Sequence, residues 1–158
     1  MVGLTLAHSV LAVIHILAGA AWFGSMFYSF FVLHPRAQAY FKRNADFESF
    51  IAEVSHGARW KVLSALGLIA LTGVALVLLR WPQPMSMRWL LLIGAKVAVF
   101  TVALVLFIYT SWRLWPARLV ASFEEVPKFQ KVFRQVAAAM ISFAALSMAL
   151  GVFAHIWR

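Results

Sequence analysis

The residues of this chain whose types and spacing could do chemistry are its five histidines, Lys96 and the pair Met85 and Met87. His8, His15, Gly19, Trp22 and Met26 recur at intervals of seven, four, three and four, which sets them along one face of a helix. Ala144, Met148, Gly151 and His155 recur at four, three and four and make a second face, mostly small up to the histidine. Imidazole supplies an axial bond to haem iron, and glycine beside it admits a flat macrocycle. The two faces point to a haem b held by His15, with His155 or His8 completing the iron coordination and Gly19, Trp22 and Gly151 along the slot.

Depth separates these candidates. His15 lies seven residues beyond His8, roughly 10 Å at 1.5 Å per residue, inside an apolar segment. An ionisable group at membrane depth is costly and usually serves a site. His8 and His155 stand near helix ends, where an imidazole also satisfies itself on a carbonyl or water. His34 in "HPRA" and His56 in "SHGAR" lie at the opposite level, and read either as interfacial caps or as a weak second metal or haem site. Lys96 is the charged residue within a span: its stem can snorkel to the interface, or its ammonium can partner a propionate, a quinone oxygen or another anion. Met85 and Met87 form an M-x-M in the turn "QPMSMR"; thioethers suit Cu(I), so with His8, His155 and His15 they define a copper alternative, and packing at the bilayer surface is the plainer one.

Other chemistries lack residues. Cysteine is absent, which removes disulfides, thiolate metal sites and Cys nucleophiles. There is no Ser/His/Asp set, Gly-rich phosphate loop or paired intramembrane carboxylate, so hydrolytic, nucleotide-dependent and carboxylate proton-pump readings have nothing to stand on. The formal charge of +9 accompanies 64% hydrophobic and 12% charged residues, with a mean hydropathy of +0.88. The basic residues flank apolar runs, where headgroups and topology account for them, and no nucleic-acid surface is expected.

The elements that must position these groups are membrane spans. Four apolar segments reach the roughly 20 residues a spanning helix needs, at about 4–33, 62–79, 89–112 and 136–157, and the expected organisation is one transmembrane domain over 1–158. No linker, low-complexity tract or second domain appears. The first segment carries no charge before Arg36 and is too long for a cleavable signal, so it is expected to stay as a span. Arg36, Lys42, Arg43, Arg59 and Lys61 in the first loop and Arg113, Arg118, Lys128, Lys131 and Arg134 in the third outweigh Arg80 and Arg88 in the second. The positive-inside rule puts both termini on the outer, periplasmic side. Trp60, Trp112 and Trp115 then mark the inner interface, and Trp81, Trp89 and Trp157 the outer one. The expected fold is an all-α, antiparallel four-helix bundle, with Ser147 and Gly151 easing close approach on the last helix. Residues 37–55 read either as an amphipathic surface helix or as an extension of the second span.

Several motifs resemble a known family. His15, Trp22, Phe23 and Gly24 as "H-x6-W-F-G", the "HPRA" after the first span, "LTGVALVL" in the second, and "WLLLIGAK" with "SWRLWPARL" around the third are similar to the CopD-like small membrane proteins, over essentially the whole chain. That resemblance implies the bacterial inner membrane and copper resistance or copper movement beside a periplasmic copper-binding partner. The first helix also resembles that of HemJ-type protoporphyrinogen oxidases, which implies haem b on His15 and a matching role for Lys96. The Asn-Glu-rich C-terminal pattern of that type is absent, so the resemblance carries haem binding rather than haem-synthesis chemistry.

The expectation is a haem-b membrane redox protein, a membrane oxidoreductase or electron carrier, exchanging electrons with a quinone-like or periplasmic partner. The alternative is a copper permease or copper-binding protein, and a third reading makes the chain a structural subunit. Monomer and homo-oligomer are both compatible with the sequence.

Overall fold

Pro35 and Pro116 are where this chain departs from the expected arrangement of helices. A proline lacks an N–H and its ring crowds the carbonyl four residues back, so helices ordinarily stop before it. A computed structural model, which describes residues 2–80, 84–122 and 124–156, carries the helix through both prolines. The first helix, α1 (Val2–Tyr28), widens into a π turn over Ser29–Leu33 and continues as α2 (His34–Tyr40). The fifth, α5 (Met87–Tyr109), does the same over Thr110–Leu114 and continues as α6 (Trp115–Leu119). In each π turn the N–H just before the proline reaches five residues back, His34 to Ser29 and Trp115 to Thr110. That wider turn makes room for the proline ring without ending the helix. The first and third apolar helices therefore run to Tyr40 and Leu119, beyond the expected ends at Leu33 and Trp112.

Between them lie α3 (Asn44–Ser55) and α4 (Ala58–Arg80), and α7 (Val126–Ile156) closes the chain. Phe41 leaves α2 in extended backbone. Gly57 at φ +70 separates α3 from α4, in the left-handed region that glycine enters without a Cβ penalty. Residues 44–55 thus form a helix of their own rather than an extension of the second span. Ser86 caps α5 by accepting the Trp89 N–H at 3.2 Å. All regular structure among the described residues is helical. Four helical stretches are long and apolar enough to cross a membrane: Leu6–Tyr40, Ala58–Arg80, Met87–Leu119 and Val126–Ile156. Leu71, Leu17, Leu91 and Val105 stand well exposed on them, as lipid-facing side chains do. The expected outer markers Trp81 and Trp157 fall outside the described residues. Trp89 is buried in the first turn of α5.

The chain divides into two compact units, Met1–Met85 and Ser86–Arg158. In the first, α1 packs on α4, around Leu66, Ile69 and Thr72. Where the chain turns back, Ala37, Phe47 and Ile51 are buried and the His34 ring meets Phe47 edge-on at 6.2 Å. In the second, α5 packs on α7, around Ala103, Phe107, Met140, Ile141 and Ala144. Here Trp115 meets Phe133 edge-on at 5.8 Å, and the Arg118 guanidinium, buried, lies 5.1 Å from the Phe133 ring and 5.7 Å from that of Trp115.

Both units follow one plan, and the correspondence is numerical. Tyr28, Ser29, Leu33 and Pro35 stand 81 positions before Tyr109, Thr110, Leu114 and Pro116, so the π turns coincide. The same interval carries His34 to Trp115, the two rings of the edge-on pairs, and His15 to Lys96. On the returning helices Ser64, Leu68, Gly73 and Val74 stand 78 positions before Ser142, Leu146, Gly151 and Val152.

Candidate functional site

A neutral imidazole has one N–H and one lone pair, and which nitrogen carries which depends on its partner. His15, half-buried on α1, faces Thr72 of α4, with Nδ1 2.9 Å from Thr72 Oγ1. Thr72 is buried and has a single hydroxyl proton, directed to the Leu68 carbonyl at 2.6 Å, with the Ile69 carbonyl at 3.2 Å. Its oxygen is therefore the acceptor and His15 Nδ1–H the donor. The lone pair of His15 resides on Nε2. A chain of two hydrogen bonds, imidazole to hydroxyl to carbonyl, fixes both the ring's orientation and its tautomer.

Gly73 explains how the ring comes so close to α4. A Cβ built there would lie 3.3 Å from His15 Cε1 and 3.8 Å from Nδ1, so the missing side chain is what admits the imidazole. Gly19, one turn further along α1, has nothing within 4 Å of its own Cβ position. Trp22, a further turn on, is 6% exposed, and its Nε1 is buried with no hydrogen-bond partner. His8 lies half-buried near the start of α1. His15, Gly19 and Trp22 thus share a face of α1, and Thr72 and Gly73 of α4 close on the histidine.

The second unit presents a different group at the equivalent place. Lys96 of α5 stands where His15 does, and Gly151 of α7 where Gly73 does. The Gly151 Cβ position lies 3.0 Å from Lys96 Nζ and 3.7 Å from Cε, so the ammonium end rests in the glycine notch of the returning helix. His155 is exposed in the last turn of α7.

The remaining candidates are placed apart from His15. His34 packs on Phe47 beneath the first π turn, and His56 is exposed at the end of α3. Met85 and Met87 flank the capping residue Ser86, with Met87 exposed in the first turn of α5. Among the described residues, no group of three or more His, Cys, Asp or Glu side chains could hold a metal ion.

Sequence reasoning identified His15 and missed Thr72. The signal was present in "LTGVALVL": a hydroxyl beside a glycine in an otherwise apolar run supplies an acceptor and a notch together. As for the fit to a metal, an imidazole held through Nδ1–H is the form that binds iron or copper through Nε2. For haem that single donor suffices, because the macrocycle brings its own ring nitrogens. Comparison with known protein families, curated proteins and solved structures returns no match.

Proposed function

We propose that this chain is a multi-pass membrane redox protein that binds haem b through His15. The observation that carries the reading is the Thr72-held imidazole, which directs an electron-pair donor from a helix apolar enough to cross a membrane. When bound, haem would supply a one-electron couple. The protein's own part is to orient the imidazole through Thr72, admit it through Gly73 and, with a wall of apolar side chains, exclude water. Lys96, in the second unit, is a cation suited to an anionic partner such as a propionate. Its cost at membrane depth argues for a role, and its notch against Gly151 keeps it from being a loose surface charge.

In this reading all four long helices cross the bacterial inner membrane as an antiparallel bundle, with both termini on the periplasmic side, in keeping with the basic residues of the first and third loops. The partner is a membrane quinone or a periplasmic redox protein.

The test is the visible spectrum, oxidised and dithionite-reduced, of protein purified in mild detergent from haem-replete cells, with iron and copper measured on the same sample. A Soret band with sharpened reduced bands and near-stoichiometric iron is expected, and His15→Ala should abolish haem retention. Full haem occupancy in His15→Ala would sink the assignment. A colourless protein that retains copper, and loses it when Met85 and Met87 are replaced together, would instead support the copper permease.

A further inference from the structure

The π-electron ring of Trp22 is at home in an apolar interior, but its N–H is not. A buried indole ordinarily finds an acceptor, and lipid tails offer none. Within α1 the neighbouring acceptors are committed. The backbone carbonyls serve the helix, and the Ser25 hydroxyl donates to the Trp22 carbonyl at 2.8 Å. Trp22 Nε1, in a side chain 6% exposed, nevertheless has no partner. The donor sits seven residues past His15 on the same face, roughly 10 Å along the helix axis. Between them lies Gly19, with open space at its Cβ position.

An acceptor suited to this place has a restricted chemistry. It belongs to an apolar molecule, since the helix is apolar throughout. It is uncharged, because a carboxylate or phosphate well inside a span carries a heavy solvation cost. It is flat enough to lie along a face that Gly19 leaves low. A neutral ring bearing a carbonyl oxygen meets all three requirements.

We propose that Trp22 Nε1 donates a hydrogen bond to a carbonyl oxygen of a quinone bound against α1. The inference deepens the redox reading by naming its electron-carrier class. It rests on that reading for the purpose of the quinone, while the binding itself requires only Trp22 and the groove.

The chain has seven tryptophans, so the measurement must single out one. The full-length protein, with indole-15N-labelled tryptophan in nanodiscs, is titrated with decylubiquinone, and the Trp22 resonance is assigned by its absence in Trp22→Phe. The expected result is a saturable downfield shift of the Trp22 Nε1–H resonance alone. Trp22→Phe keeps the packing and loses the donor, and should weaken quinone binding about 3- to 10-fold, the loss expected for one neutral hydrogen bond. A resonance unmoved by quinone overturns the proposal. So does one already at a hydrogen-bonded position before quinone is added, or one that haemin moves and quinone does not. These are wild-type readings, so the outcome does not depend on the variant folding. Repeating the titration in His15→Ala separates the two ideas. A quinone shift without haem retention leaves the site standing on its own, and haem retention with an unmoved Trp22 resonance discards the quinone site while the haem reading survives.

Discussion

Thr72 has one proton to give, and giving it to Leu68 makes it an acceptor for His15. Thr72→Val keeps the shape and removes the acceptor, leaving the imidazole N–H without its partner. Haem affinity should fall about 10- to 100-fold, as it does when the group behind a metal-bound histidine is lost. Thr72→Ser, which restores the hydroxyl, should return most of it, and haem titration of both variants checks the pair. Equal retention in wild type and Thr72→Val would show that the tautomer is set elsewhere. At this scale the sequence was half legible. His15 declared itself, because a titratable ring in an apolar run has few uses. Thr72 did not, because threonine in a helix ordinarily bonds its own backbone, and its partner lies 57 positions away. Gly151 shows the converse: it was read as room for a macrocycle, and the structure lays the Lys96 ammonium across it.

At the scale of elements, helix ends outside the spans are held by charge. The Ser122 N–H and hydroxyl donate to the Glu125 carboxylate at 3.0 and 2.9 Å at the entry to α7, and these bonds hold its pKa below the ordinary carboxylate value. A group whose folded pKa is depressed adds stability above its unfolded pKa, and that stability is lost as pH falls through the folded value. Acidification through the carboxylate range should therefore loosen the start of α7. Amide exchange at residues 126–129, corrected for intrinsic rates, should quicken, and Glu125→Gln should remove that pH dependence. An unchanged profile in Glu125→Gln would show that the carboxylate does not hold the turn. The hydrogen bond and charge of Arg43 depress Asp46 in the same direction at the start of α3. The four long helices were legible from length and hydropathy alone, since few other features produce such runs. Their ends were not. The inference that proline stops a helix is sound for an α register, and the chain escapes it by changing register at Ser29 and Thr110.

For the whole molecule, the first question is which side each loop faces. With no native cysteine, single cysteines can be placed without background. Asn44→Cys and Glu124→Cys should resist a membrane-impermeant maleimide on intact spheroplasts and react after lysis, whereas Gln83→Cys should react from outside. The opposite pattern would invert the orientation drawn from the basic residues. The repeated plan of the two units was hidden because so few positions carry it: a tyrosine, a leucine and a proline on one helix, and a serine, a leucine, a glycine and a valine on the other. Lipid-facing positions are free to drift among apolar residues, and packing constrains only the places where helices meet. His15 and Lys96, which differ in kind, were the least suited to reveal that they share a position.

A π turn amounts to one residue more than an α-helix needs for the same number of turns. Each extra residue rotates everything beyond it by roughly 100° about the axis, at 3.6 residues per turn. The phase of the inner segment, with His34, Ala37 and their buried contacts, is therefore decoupled from that of the outer segment carrying His15 and Trp22. A helical wheel drawn straight through Ser29 or Thr110 assigns the wrong neighbours below it. The chain gains two independently aimed faces from one uninterrupted helix, and it does so at the same point in both units.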